Sequence, residues 1–228
     1  MKITSVIICV YNEEKTIRDV VLSVSGSLIV GEIIVVNDGS TDGTKKIIDE
    51  LKRDFGILTI HLEKNKGKGY AMAVGIENAT NEIIVFIDAD LSNLQKEHFA
   101  QLVSPVLNKE ADMVLGQATE TLIDYSVNPF KSFTGQRALI KNDVLPLVDK
   151  MKDSRFGVET LINLYYQSEG KTIKYVMLQG LKHPTKFEKV SKLQAVKEFI
   201  KEGNQIAVTA FKNFHLLTGS IKKTLKIS

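Results

Sequence analysis

With 228 residues, a net charge of +3, 43% hydrophobic and 25% charged residues, the chain has the composition of a globular protein, long enough to bury about 70% of the surface its unfolded form exposes. A lone cysteine, Cys9, excludes a disulfide framework and points to a reducing compartment, and no window approaches the ~20 apolar residues of a membrane-spanning helix. Met1 and Lys2 lead directly into a strand-like segment without the pattern of a signal peptide, which predicts a cytoplasmic protein.

Ile3–Val10 reads as a buried strand, followed by YNEE and a helical pattern in which Ile17, Val20, Val21 and Val24 recur at spacings of three and four. A second apolar run, Glu32–Asp38, ends in NDGSTDGT, and a helix with Ile47, Ile48 and Leu51 on one face follows. Ile57–Leu62 is a third strand, NKGKG a glycine-rich turn, Tyr70–Asn78 a helix and Ile83–Ile87 the fourth strand. Strands that are apolar throughout and alternate with helices predict an α/β fold whose mostly parallel, Rossmann-like sheet is flanked by helices on both faces. Asp112–Gly116 is a fifth strand, Thr119–Gln136 a long loop, Lys141–Lys152 and Val158–Ser168 helices, Thr172–Leu178 a strand, and from about Val190 a C-terminal helical extension follows.

In open sheets of this kind ligands lie beyond the carboxyl ends of the strands. Tyr11–Glu14, Asp38–Asp42, Lys64–Gly69 and Asp88–Asp90 end the first four strands, so four polar clusters converge on one edge. IIVFIDADLS (83–92) poses the sharpest question, because a buried carboxylate needs compensation. Asp88 and Asp90 either cap a helix starting near Lys96 or serve a divalent cation. Asp38 should stand at the sheet edge, able to accept hydrogen bonds from a base or ribose, whereas Ser40–Thr44 reads as a tight turn capping the next helix. Gly67 and Gly69 permit close backbone approach, and Lys66 and Lys68 offer charge to a phosphate. The Walker pattern is absent, as is a G-x-G-x-x-G after the first strand, which excludes the common nicotinamide signature. Carboxylates, lysines and an acidic edge together describe a nucleotide-diphosphate site.

VIICVYNEEKTI, IIVVNDGSTDGT, NKGKGYAMAVGI and IIVFIDADLS, in that order, resemble the nucleotide-sugar half of family 2 glycosyltransferases with the GT-A fold. The likeness is greatest to the branch of dolichyl- or polyprenyl-phosphate sugar transferases and continues through FTGQRAL (133–139), RFGVET (155–160) and LKHPTKFEK (181–189). It implies three segments: residues 1–116 as the nucleotide-sugar-binding half, 117–189 as the acceptor-side half of the same domain, and 190–228 as a basic tail. It also implies that Val10, Asn12, Glu14 and Asp38 contact the nucleoside with Lys68 nearby, that Asp88 and Ala89 adjoin the nucleotide, and that Asp90 holds Mg²⁺ or Mn²⁺ at the diphosphate. Cys9 stands where the family commonly has proline, a change in strand-end rigidity rather than chemistry.

The implied reaction transfers a sugar from a UDP- or GDP-linked donor to an acceptor, a lipid phosphate being favoured. Glu159 is the candidate base for a hydroxyl acceptor, or else a carboxylate complementing a helix dipole. Arg137 is the candidate clamp for a phosphate acceptor, or else a surface ion-pair partner. His183 is either a late metal ligand or a loop histidine before Pro184, while His61, His98 and His215 read as structural. Residues 182–228 carry ten lysines against three glutamates, a net +7 that leaves −4 for the first 181. In that tail Leu193, Val196, Phe199 and Ile200 share a helical face, continued by Ala207, Ala210, Phe214 and Leu217, so it either lies on an anionic membrane surface or packs on the domain. Aromatic interleaving of a nucleic-acid-binding kind is missing. A nucleotidyltransferase, whose basic glycine-rich loop would follow the first strand in place of YNEE, and a non-catalytic nucleotide-sugar-binding or membrane-peripheral protein are the rival readings.

Overall fold

Strands without polar alternation are stable only where both faces are covered, and the chain covers them by placing helices on both sides of one sheet. The computed structural model describes residues 3–120, 134–154 and 157–182, together with 203, 208, 209, 211–213 and 216 of the tail. Its elements run β1 (Thr4–Val10), α1 (Ile17–Ser25), β2 (Val30–Asn37), α2 (Thr44–Phe55), β3 (Leu58–His61), α3 (Lys68–Asn78), β4 (Ile83–Asp88), α4 (Lys96–Leu107), β5 (Met113–Glu120), β6 (Arg137–Ile140), α5 (Lys141–Val144), α6 (Val148–Ser154), α7 (Val158–Ser168) and β7 (Ile173–Lys182).

The strand order is β3-β2-β1-β4-β6-β5-β7. Only β6 among these strands runs antiparallel, to both β4 and β5. Alternate residues of the central strands feed two cores. Val6, Ile8, Val35 and Val85 pack with α1, α2 and α4 on one face, and Ile7, Ile34, Ile84 and Phe86 with α3, α6 and α7 on the other. The expected apolar face of α1 is buried as Ile17, Val20, Val21 and Val24.

Three expectations change. Thr119 and Glu120 belong to β5, and residues 121–133 of the expected loop lie outside the described residues. The RALI segment, 137–140, is a strand the sequence reading did not predict: four residues opening on an arginine give no period to recognise. The helix expected over 141–152 is cut in two by a 3₁₀ turn, Leu145–Leu147, since Pro146 lacks the donor a continuous helix requires. β5 carries the sheet past residue 116, with a register shift against β7 between Ala118 and Glu120. In the tail, Thr209 is buried against Gly157 and Leu216 packs on the α3–α6–α7 core, while Val208 and Phe211 are exposed. No helix among the described residues is long and apolar enough to cross a membrane.

At the amino ends of the strands one carboxylate oxygen joins three segments. Glu32 Oε1 accepts from Ser5 Oγ at 2.5 Å, Thr80 N at 2.6 Å and Thr80 Oγ1 at 2.8 Å. Burial alone would raise its pKa, but these hydrogen bonds outweigh it and hold the carboxyl below its usual value. The stabilisation is therefore present above the unfolded-state pKa of about 4.3 and is lost as pH falls through the lower folded-state value. Glu32→Gln is expected to lower unfolding free energy by about 1–3 kcal/mol at pH 7. In urea titrations at descending pH, the gap between the two proteins should shrink below about pH 4.

Candidate active site

The loops after β1 and β2 are stitched to each other, which fixes the first wall of the site. Asn12, at φ 57°, donates its amide to Ser40 Oγ at 3.0 Å and accepts from Thr41 N on Oδ1 at 2.8 Å. Glu14 Oε2 accepts from Gly43 N at 2.7 Å, and Glu13 N donates to Thr44 Oγ1 at 2.9 Å. Within NDGSTDGT, Ser40 N donates to Asn37 Oδ1 and Thr44 N to Asp42 Oδ1, both at 3.0 Å, so the turn organises the start of α2 as its composition suggested.

Asp38 is placed differently from the expectation that it stands open to a base or ribose. It is 4% exposed, with Oδ1 accepting from Lys66 N at 2.7 Å and Oδ2 from Gly67 N at 2.8 Å. Val10 supplies its carbonyl to Asp38 N at 2.9 Å. Asp38 thus folds the NKGKG loop rather than lining its surface. Gly39 makes this possible: at φ 70° a Cβ there would lie 2.5 Å from the Lys64 carbonyl carbon.

The loop held by Asp38 delivers Lys68, the first residue of α3, to the end of β4. Its Nζ donates to Asp88 Oδ1 at 2.7 Å and to Glu159 Oε1, in the first turn of α7, at 2.6 Å. The side chains of Asp88 and Glu159 are each 14% exposed and that of Lys68 26%. Burial pushes the ammonium down, but the two carboxylates prevail and raise its pKa above the ordinary lysine range. Asp88 Oδ2 accepts from Gln136 Nε2 at 2.7 Å, and Thr134 Oγ1 fixes that amide by donating to Gln136 Oε1 at 2.6 Å.

Arg137, on β6, is fully buried, not a surface ion-pair partner. Its Nη1 donates to Asn163 Oδ1 at 3.3 Å and its Nη2 to the Thr134 carbonyl, so the guanidinium braces β6 against α7 beneath the carboxylates. Ala89 is buried, its carbonyl accepting from Thr16 Oγ1 at 2.8 Å, and Asp90 follows half-buried. Neither aspartate is the cap of α4, whose amino end is closed by Gln95 and His98. His98 also reaches the Gln179 carbonyl at 3.0 Å, and His61 lies between Asn37 and Asp49, structural roles for both. Burial raises the Cys9 thiol pKa, which favours the neutral thiol over the thiolate.

Among the described residues no three His, Cys, Asp or Glu side chains converge as a metal cage; His183 lies outside them. A hard cation that shares its shell with substrate phosphates needs only one or two carboxylates from the protein, and Asp90, just past the end of β4, carries a fitting oxygen donor. Sequence reasoning overlooked Gln136 and Gly135, though both stand in the FTGQRAL motif that drew attention to Arg137.

A model of the family described as Glycosyl transferase family 2 matches residues 5–139. Poly-beta-1,6-N-acetyl-D-glucosamine synthase of Staphylococcus epidermidis is 40% identical over 87 residues, 38% of this chain and 21% of that protein. The enzyme of the same name from Staphylococcus aureus strain COL is 36% identical over 89 residues, 39% and 21% of the respective chains. The chain therefore spans about a fifth of the length of the curated relatives it matches. Glucosyl-3-phosphoglycerate synthase from Mycobacterium tuberculosis, solved with Mn²⁺, UDP and phosphoglyceric acid, superposes with TM-score 0.72 at 21% identity, over 92% of this chain and 78% of that one. A second structure of that enzyme, with Mg²⁺ and UDP, gives TM-score 0.71 at 22% identity, over 92% and 79%. The sheet is thus that of the GT-A fold.

Gly135 supplies a direct check on the geometry. A Cβ there would stand 2.1 Å from Asp88 Oδ2, so the carboxylate fits only because no side chain intrudes. Gly135→Ala is expected to cost about 1–3 kcal/mol in urea unfolding, the scale of overpacking a closed site. Unaltered stability would place Asp88 elsewhere.

Proposed function

The chain belongs to glycosyl transferase family 2, and from that premise we propose that it transfers a sugar from a UDP- or GDP-linked donor, with a divalent cation, to a polyprenyl phosphate or other lipid-linked acceptor. The observation that carries the reading is the joining of Asp88, at the end of the parallel strand β4, to Glu159 of α7 through one ammonium. On this reading a donor-side and an acceptor-side carboxylate share one point.

Asp90 is the residue to hold Mg²⁺ or Mn²⁺, which when bound neutralises the charge left on the departing diphosphate. Val10 at the end of β1, with Asn12 and Glu14 on the stitched loop that follows, borders the nucleoside, and Asp38 acts on it through the loop it folds. His183 is retained from the sequence as a second candidate ligand. Mn²⁺, Mg²⁺ and UDP in the mycobacterial enzyme's structures support the donor and the cation, and phosphoglyceric acid supports a phosphate-bearing acceptor.

An acceptor phosphate is already ionised near neutral pH, so its attack needs cationic surroundings more than a base. Arg137 supplies part of that field from beneath, near Asp88 and Glu159, without exposing its guanidinium. For a hydroxyl acceptor Glu159 is the group placed to take the proton. Residues 1–116 then serve the donor and 117–189 the acceptor, and the lysines of 190–228 bring the enzyme to an anionic membrane surface as a peripheral protein.

Asp90→Asn is expected to reduce transfer from labelled UDP- and GDP-sugars to polyprenyl phosphate by roughly 10²–10³-fold, with thermal unfolding unchanged. Normal turnover by this variant overturns the cation assignment. In sedimentation with vesicles, the protein should pellet with anionic but not neutral lipid at low salt, and be released as ionic strength rises. Equal recovery on both lipids counts against the tail as the attachment.

A further inference from the structure

Lys68 does two jobs that a donor site would set in competition. The backbone amides of Lys66 and Gly67 are consumed by Asp38, so the NKGKG loop can offer an anion its lysine ammoniums. That of Lys66 lies 4.1 Å from the centre of the Tyr70 ring. That of Lys68 lies between two carboxylates, from which Asp88 cannot easily withdraw: its second oxygen is held by Gln136 and it terminates a central strand. Glu159 sits on a longer side chain in the first turn of α7, on the acceptor side.

On the donor reading above, we infer that Lys68 is a shared positioning residue: the donor diphosphate draws its ammonium away from Glu159, so that donor binding frees Glu159 for the acceptor. The chemistry is one of exchange. An ammonium has three donors and no acceptor, and a diphosphate carries more negative charge than one carboxylate. The two occupants of Lys68, Glu159 and the diphosphate, are then linked by one unfavourable coupling free energy that acts equally on both. Glu159 weakens donor binding for as long as it holds the ammonium, and the donor weakens the Lys68–Glu159 contact by the same factor. The consequence is an order of events in which the acceptor-side carboxylate is unmasked after the donor has arrived.

The test is a double-mutant cycle read by calorimetric titration of UDP, and in parallel GDP, in the presence of MnCl₂, with no acceptor needed. Lys68→Met should weaken nucleotide binding by roughly tenfold. Glu159→Gln, which keeps shape and removes charge, should tighten it by roughly three- to tenfold, and Glu159→Ala should do the same should the glutamine disturb α7. In the Lys68→Met background both Glu159 substitutions should leave the affinity unchanged, because the ammonium through which Glu159 acts is gone; a carboxylate acting only as a nearby negative charge would still be felt there. Circular dichroism melts confirm that each variant is folded. Tightening that persists without Lys68, or unchanged affinity in Glu159→Gln and Glu159→Ala alike, overturns the shared role while leaving the donor reading intact. Failure of both nucleotides to bind the unaltered protein overturns the donor reading and the exchange together.

Discussion

The ammonium of Lys68 is the contact on which the arrangement of the site depends. Asp88 and Glu159 both lie within hydrogen-bond reach of it, and two carboxylates so close in a mostly buried setting would repel without the cation between them. Breaking a buried pair by removing one partner costs about 3–5 kcal/mol, and the 26% exposure of the Lys68 side chain places this cluster below that range. What makes the contact possible is topology. β4 sits between β1 and the reversed strand β6, so the end of β4 meets the start of α3 on one side and the turn before β6 on the other. Lys68 comes from the first, Gln136 from the second, and α7, packed on the same face as α3, brings Glu159 over both.

Polar groups around the cluster divide into those that can address a ligand and those that hold other groups still. Asp38 belongs to the second kind: a carboxylate accepting two backbone amides is a strong local organiser, and in this fold it converts a glycine-rich loop of little intrinsic preference into a fixed platform for Lys68. Arg137 belongs to it as well. Its guanidinium spans from β6 to α7 in a position where replacement by a smaller residue would leave a cavity as well as remove a charge. Loss of transfer on changing Arg137 is therefore read together with stability.

The first four strand–helix units were legible because each has a period and a boundary. The apolar runs of β1, β2 and β4 have no alternation, α1 repeats at three and four, and glycine or asparagine marks the turns. Their carboxyl ends fall on one edge by topology, so the sequence alone brings Asp88, Lys68 and the YNEE and NDGST loops together. What was not legible is pairing. That Asp38 turns inward to amides 28 and 29 residues away, and that Arg137 is swallowed by β6 and α7, depends on which lone pairs are already taken, and periodicity carries no record of that. Gln136 was hidden for a similar reason. An amide beside an arginine draws less attention, yet it is the amide that reaches Asp88.

The extent of the family match then bears on where specificity resides. It ends at Leu139, on β6, and so takes in the stitched loops, Lys68, Asp88, Asp90 and Gln136 while leaving out α7, β7 and the tail. Of these, the stitched loops, Lys68, Asp88 and Asp90 are the ones proposed to handle nucleotide and cation, a task common to many sugar transfers, while Arg137, also within the match, is proposed to act on the acceptor side. Glu159 lies beyond the match, on a helix held at its middle by Arg137 through Asn163 and at its amino end by the close packing of Gly157 on Thr209 of the tail. A substitution in the tail can therefore reach Glu159 through α7, and through Glu159 the ammonium of Lys68. On the proposed reading the seating of α7 therefore bears on the acceptor side through Glu159 itself, and on the donor side through the Lys68 ammonium that Glu159 shares with Asp88.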